Sequence, residues 1–175
     1  FEIEIKNTTF TKNNSTGYGG AIDVTTGGTG NVTLNLDNAT FNGNQSESDG
    51  GAIAYEQGNI TSNIINGTFT NNTANNGGAI YNGIKDLKIS NTIFDGNKTN
   101  DGGKEGAIYN AGNISLKQTE FKQSTDTIYM ANDSAADFSD TNTLNGSISS
   151  ENATSKIKNK GTLILNADNS GYTGT

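Results

Sequence analysis

The sequence predicts an all-β chain wound as a right-handed parallel β-helix of about seven coils, with three short strands per coil. Three observations lead there. A phenylalanine returns at Phe10, Phe41, Phe69, Phe94 and Phe121, a strand-like alternation precedes each, and a glycine-rich step follows the first four. The separations are 31, 28, 25 and 27 residues, within the range that marks solenoids, and no helical period runs through them.

The strand comes first in each copy. Nine, seven and five residues before the phenylalanine stand Phe1, Ile3 and Ile5, then Val32, Leu34 and Leu36, then Ile60, Ser62 and Ile64. Leu87 and Ile89 fill the last two of these positions in the fourth copy, and Ile114 and Leu116 in the fifth. Alternation at period two, with polar residues between, is a half-buried strand.

Amides flank the phenylalanine on both sides. Three residues before it stand Asn7, Asn38, Asn66, Asn91 and Gln118; three residues after it stand Asn13, Asn44, Asn72 and Asn97, with Ser124 breaking the series. If copies stack at the strand spacing of about 4.8 Å, like amides lie above one another and exchange hydrogen bonds. Asn also tolerates the left-handed backbone of a sharp corner.

The glycine step closes each copy: "GGAI" at 19–22, 50–53 and 77–80, and "EGAI" at 105–108. Gly19, Gly50 and Gly77, each followed by Gly20, Gly51 or Gly78, and Gly106 in the fourth copy, let the chain turn where a side chain would obstruct the coil above. Ala21, Ala52, Ala79 and Ala107 form a small-residue file, and Ile22, Ile53, Ile80 and Ile108 drop into the core. The distance from phenylalanine to this alanine varies, at 11, 11, 10 and 13 residues, which places loops such as "TKNNSTGYGG" and "NGNQSESDGG" on one face.

Weaker residues extend the series, with Ile148 and Tyr172 taking the place of phenylalanine. Upstream of Ile148 the strand positions are then Ser139, Thr141 and Thr143, and upstream of Tyr172 they are Leu163, Leu165 and Ala167. The chain reads as a single β-helix unit over 1–175, with clear repeats at 1–130 and degenerate ones at 131–175. It opens in mid-pattern, as a fragment cut from a longer protein would.

Composition fits a core assembled by stacking. Only 30% of residues are hydrophobic and 7% aromatic, 23 are glycine, none is proline, and mean hydropathy is −0.61. Absence of proline suits strands and corners that each need their N–H donor. Cysteine and histidine are absent, which removes disulfides, thiol nucleophiles, thiolate or imidazole zinc sites and histidine-based triads. All 11 basic residues are lysine against 18 acidic ones, so there is no arginine fork to read phosphate or guanine, and no nucleic-acid partner is expected.

The paired motifs resemble those of the chlamydial polymorphic outer-membrane proteins, whose passenger regions carry many FxxN and GGA(I/L/V) pairs. Here the pairs are "FTKN" 10–13 with "GGAI" 19–22, "FNGN" 41–44 with "GGAI" 50–53, "FTNN" 69–72 with "GGAI" 77–80, and "FDGN" 94–97 with "EGAI" 105–108. The fifth copy, "FKQS" 121–124 and "DTIY" 126–129, departs from both halves. The resemblance implies an exported autotransporter-type adhesin passenger on a Gram-negative surface, outer-membrane-associated or secreted. It would be tethered by a carboxy-terminal β-barrel outside these residues and bind a host-cell or cell-surface receptor, protein or glycan. It also implies a part in adhesion for both motifs: Phe10, Asn13, Phe41, Asn44, Phe69, Asn72, Phe94 and Asn97, and the four glycine steps. Their spacing reads them as core, however, so contact is expected from the loops between them.

Parallel β-helices also carry polysaccharide-cleaving enzymes, but without histidine or arginine most of those constellations are excluded. Asp49, Asp95, Asp101 and Lys104 are the acids and base that adjacent loops could bring together; Gly/Asn-rich surroundings read them as solvated turn residues. "GGTGN" at 27–31 lacks the Lys-Ser/Thr and the helix of a phosphate loop. A threonine file at Thr9, Thr40 and Thr68 ends at Ile93 and Glu120, too short for an ice-binding array. The expectation is a non-enzymatic adhesin segment with no cofactor and no metal. The alternatives are a spacer or fibre-forming protein that self-associates by coil stacking, and a polysaccharide-active enzyme.

Overall fold

The computed structural model describes residues 1–104 and 106–175, and the side chains of all of these except 101–104. Among the described residues there is no α-helix, and the strands form four parallel sheets of seven, seven, four and six strands. Sheet 1 runs from Glu2–Lys6 to Lys156–Asn159, sheet 2 from Thr9–Thr11 to Thr162–Leu165, and sheet 4 from Ile22–Val24 to Ile148–Ser150. Each strand pairs with the same strand one coil away, so the chain is a β-solenoid.

Sheet 3 differs from expectation. The segments read as loops carry strands Asn14–Ser15, Gln45–Ser46, Thr73–Asn76 and Lys98–Lys104, giving the first four coils a fourth side. These strands have polar sequences that show no apolar alternation, and the neighbouring coils supply their hydrogen-bond partners. Later copies lose this side: sheet 2 to sheet 4 takes 14 residues from Phe94 to Ile108 but 7 from Phe121 to Ile128.

That shortening moves the degenerate copies out of the predicted register. Leu144, not Ile148, stands above Phe121, and Leu165, not Tyr172, stands above Leu144. Ile148 belongs to sheet 4 above Ile128. Sheet 1 continues through Ala136 and Phe138 and then Ile157, while Thr141, Thr143, Leu163 and Leu165 lie in sheet 2.

The core is a column with one cross-section per coil. Leu34, Leu36, Phe41, Ile53, Ile64, Phe69, Ile80, Leu87, Ile89, Phe94, Ile108 and Leu116 are each 0–1% exposed. Burying a side chain of this size contributes roughly 1.5–3 kcal/mol, so adding coils, not widening one, accumulates the stability that a chain this poor in apolar residues needs. In sheet 1 the polar Ser62 takes a core position, fully buried between Leu34 and Leu87. Its hydroxyl lies 2.7 Å from the Tyr55 hydroxyl and donates to the Leu34 carbonyl at 3.1 Å, which satisfies both groups.

Candidate adhesion surface

The phenylalanines of FxxN face inward from sheet 2 and stack ring on ring. Centroids of Phe10, Phe41, Phe69, Phe94 and Phe121 are 4.7–4.9 Å apart with interplanar angles of at most 10°. The strand spacing imposes this parallel geometry, and four of the five rings are fully buried; Phe10, in the first coil, is half-buried.

The asparagines of FxxN form a ladder inside the corner between sheets 2 and 3. The Asn44 carboxamide oxygen accepts from the Asn13 backbone N–H and Nδ2 at 3.0 and 2.8 Å, and the Asn72 oxygen accepts from Asn44 at 2.9 and 2.9 Å. Asn97 accepts from Asn72 at 3.1 and 2.8 Å. Each Nδ2 also donates to a phenylalanine carbonyl one coil back: Asn44 to Phe10, Asn72 to Phe41 and Asn97 to Phe69, at 2.8–3.0 Å. Asn44 and Asn72 thus use both donors and both lone pairs while 0% exposed. Gln123 takes the next rung with its Oε1 3.2 Å from the Asn97 N–H; Ser124 is exposed beside it.

Outside the corner between sheets 1 and 2 runs the second amide column. Asn7, Asn38, Asn66, Asn91 and Gln118 all take positive φ, between 47° and 55°, the left-handed corner for which Asn is suited. Asn38 Nδ2 donates to Asn7 at 2.7 Å and Asn91 to Asn66 at 2.6 Å, exposed to solvent.

In GGAI, the first glycine takes φ of 54° to 68° at Gly19, Gly50 and Gly77, and a Cβ there would sit 2.1–2.2 Å from the carbonyl oxygen three residues on. The second glycine is closed by the neighbouring coil: a Cβ on Gly20 or Gly51 would meet the glycine carbonyl above at 2.1 or 2.0 Å, and on Gly78 the Lys98 carbonyl at 2.4 Å. Gly106 has φ 138°. Ala52, Ala79 and Ala107 are fully buried, as are Ile53, Ile80 and Ile108; Ala21 and Ile22, in the first coil, are half-buried. The isoleucine file then continues through Ile128 and Ile148. In the second to fourth coils both motifs are therefore scaffold, with their side chains buried, while in the first coil Asn13 is exposed.

The profile of the Chlamydia polymorphic membrane protein repeat matches residues 7–25, 38–56 and 66–83. Residues 7–83 thus carry three copies of a repeat similar to that of the Chlamydia polymorphic membrane proteins. Each match begins at a left-handed corner asparagine and ends just past sheet 4, so the matched segments comprise three sides of the coil and leave out the sheet 1 strand. The copy beginning at Asn91 falls outside the matches, in keeping with Glu105 in place of its first glycine. No curated protein and no solved structure matches the chain.

What such a repeat leaves outward is the surface available for contact. Asp49 is half-buried and accepts from Asn76 Nδ2 at 2.7 Å, and burial raises its carboxyl above the ordinary range. Asp95 is exposed, and the Asp101 and Lys104 side chains lie outside the described residues. Among the described residues no three carboxylates gather as metal ligands would. Gly27, Gly28 and Gly30 meet nothing within 4 Å of an added Cβ, so "GGTGN" is an open turn and cradles nothing. It borders a cleft of about 730 Å³ between sheets 4 and 1, floored by Val32 and Ile60 and rimmed by Asn31, Gln57 and Lys85. In sheet 2, Thr9, Thr40 and Thr68 are in register with Ile93 and Glu120, which end the threonine file.

Sheet 4 holds two features the sequence reading passed over. Inside, Asn82 and Asn110 are fully buried in a second ladder, with Asn82 Nδ2 2.7 Å from the Asn110 oxygen. Outside, Tyr81, Tyr109 and Tyr129 stack with centroids 5.2 Å apart. The signal was present in "AIYN" 79–82, "AIYN" 107–110 and "TIYM" 127–130, where an aromatic follows the core isoleucine in three successive copies.

Proposed function

We propose that the chain is a surface-displayed attachment segment: a rigid, non-catalytic rod that presents its outer sheet faces and turns to a host-cell or cell-surface receptor. The observation that carries this reading is the division of labour in the repeat. The motif residues are consumed by the core and the ladders, and what varies from coil to coil, the turns and outward positions, is what a partner can touch. On this reading loss of attachment after motif substitution reports loss of fold. Display on a Gram-negative surface through a β-barrel elsewhere in the parent protein is part of the same reading, supported by the membrane-protein family whose repeat the chain carries.

The test uses the purified chain on cultured epithelial cells. Folded chain is expected to bind saturably, Phe69→Ala to lose binding in step with its circular dichroism, and polysaccharide substrates with and without calcium to remain uncleaved. A folded chain that binds no cells would sink the proposal. End-to-end polymers in light scattering would instead favour the spacer or fibre-forming alternative.

A further inference from the structure

The outer face of sheet 4 differs from the rest of the rod. Its positions in register on that side are Asp23, Ala54, Tyr81, Tyr109, Tyr129 and Ser149, of which Ala54 and Tyr129 are covered and the others reach the surface. Three stacked phenols stand there on a chain with only six tyrosines, and a fourth, Tyr18, is 43% exposed and close enough to act on the Tyr81 hydroxyl. Such a row is not needed to close the core, which is complete beneath it at Ile80 and Ile108.

Carboxylates surround this row. Asp49 and Glu56 both act on the Tyr81 hydroxyl, and the Glu56 carboxyl is raised by burial and by contact with Asp23. The four ion pairs among the described residues, Lys6–Glu4, Lys88–Asp86, Lys117–Asp140 and Lys122–Glu120, all involve other acids. Burial and the neighbouring carboxylates and phenols also raise the tyrosines, Tyr109 to about 12, so at neutral pH the phenols are uncharged donors beside negative carboxylates. The face is aromatic and negative, and among the described residues its acids have no internal cation.

We propose that this face, from Tyr18 and Asp23 past Asp49 and Glu56 to Tyr81 and Tyr109, docks an arginine-bearing extended segment of a partner protein. The inference deepens the attachment reading and rests on it, naming the chemistry of the partner. Charge complementarity selects a cation. Arginine is favoured over lysine because its flat guanidinium lies against aromatic rings and forks onto carboxylates, whereas an ammonium is a strongly hydrated point charge. An extended segment fits because the tyrosines are spaced one coil apart along the rod, 5.2 Å between ring centroids.

The experiment measures fluorescence anisotropy of labelled acetyl-(Gly-Arg)4-amide with the 175-residue chain. The expected result is saturable binding, weaker for (Gly-Lys)4 and lost for (Gly-Glu)4. Asp49→Asn with Glu56→Gln should weaken the arginine peptide about tenfold, as for a charge contact at an interface, while Asp137→Asn, an equal charge change per site on exposed sheet 1, should not. Tyr81→Leu should narrow the preference for arginine over lysine. Native circular dichroism with unchanged affinity in the Asp49/Glu56 and Tyr81 variants would overturn the proposal, as would equal weakening by Asp137→Asn or equal binding of the glutamate peptide. Cell attachment that persists while the arginine peptide fails to bind overturns this inference alone. Peptide binding without cell attachment overturns the attachment reading instead.

Discussion

Asn72→Ala removes the middle rung of the buried amide ladder, and its cost can be worked from the bonds it breaks. The Asn72 oxygen loses two donors, the Asn44 N–H and Nδ2, each at 2.9 Å; its Nδ2 loses the Asn97 oxygen at 2.8 Å and the Phe41 carbonyl at 3.0 Å. All of this happens at 0% exposure, so water cannot replace what is lost. A buried donor left unsatisfied costs about 1–3 kcal/mol, and a bond lost between groups that keep another partner about 0.5–1.5. The Asn44 N–H is left in the first condition and Asn97 in the second, giving a total of about 1.5–4.5 kcal/mol. Asn13→Ala is the control: the same motif position, but exposed and contributing one side-chain donor, the 2.8 Å bond to Asn44, for a cost of about 0.5–1 kcal/mol. At roughly 2–4 °C per kcal/mol for a chain this long, Asn72→Ala should melt about 10 °C lower and Asn13→Ala only a few degrees lower. Asn72→Asp keeps the shape but places a second acceptor against the Asn97 oxygen and the Phe41 carbonyl, and should cost at least as much as alanine. Thermal and urea unfolding followed by circular dichroism measure all three. Equal shifts for Asn72→Ala and Asn13→Ala would refute the ladder as a source of stability.

The Tyr55–Ser62 pair gives a coupled prediction: Ser62→Ala strands the Tyr55 hydroxyl in the core and should cost about 1–3 kcal/mol, and adding Tyr55→Phe should recover part of it, as urea midpoints will show. Gly51→Ala, whose Cβ would sit 2.0 Å from the Gly78 carbonyl, should destabilise strongly, whereas Gly28→Ala, with nothing within 4 Å, should be neutral or slightly stabilising; melting temperatures that fall equally would contradict the packing described. Asp49 titrates against the usual carboxylate trend. Its raised carboxyl binds a proton more tightly in the native state, so its contribution is fully present below the ordinary value of 3.8 and is lost as pH rises through the raised native one. Asp49→Asn keeps an acceptor for Asn76 and should therefore raise the melting temperature at pH 7, with the gain vanishing below 3.8. A lower melting temperature at neutral pH would show that the charge is stabilising after all.

Most of the first four copies was legible because a stacked solenoid converts sequence period directly into contact. Phe10 meets Phe41 since both stand at one phase of the repeat, and Asn7 and Asn38 take the same left-handed corner for the same reason. Where the period held, motif, register and burial could be read together. Where it slipped, at Ile148 and Tyr172, equal spacing pointed to the wrong side of the coil, because loss of the sheet 3 strand shortened the copy without leaving a mark in the residues that remained.

The sequence by itself determined the all-β solenoid, its parallel files of phenylalanine, isoleucine and amide, and the exclusion of thiol and imidazole chemistry, since each depends on residue identity at a fixed phase. Only the tertiary structure decided sheet 3, the rescue of Ser62 by Tyr55, the replacement of Ser124 by Gln123 in the ladder, and the gathering of Tyr18, Asp49 and Glu56 beside Tyr81. Each of these depends on what the neighbouring coil places within reach of a hydrogen bond or a ring, and that distance is fixed by stacking, which one copy read alone does not contain.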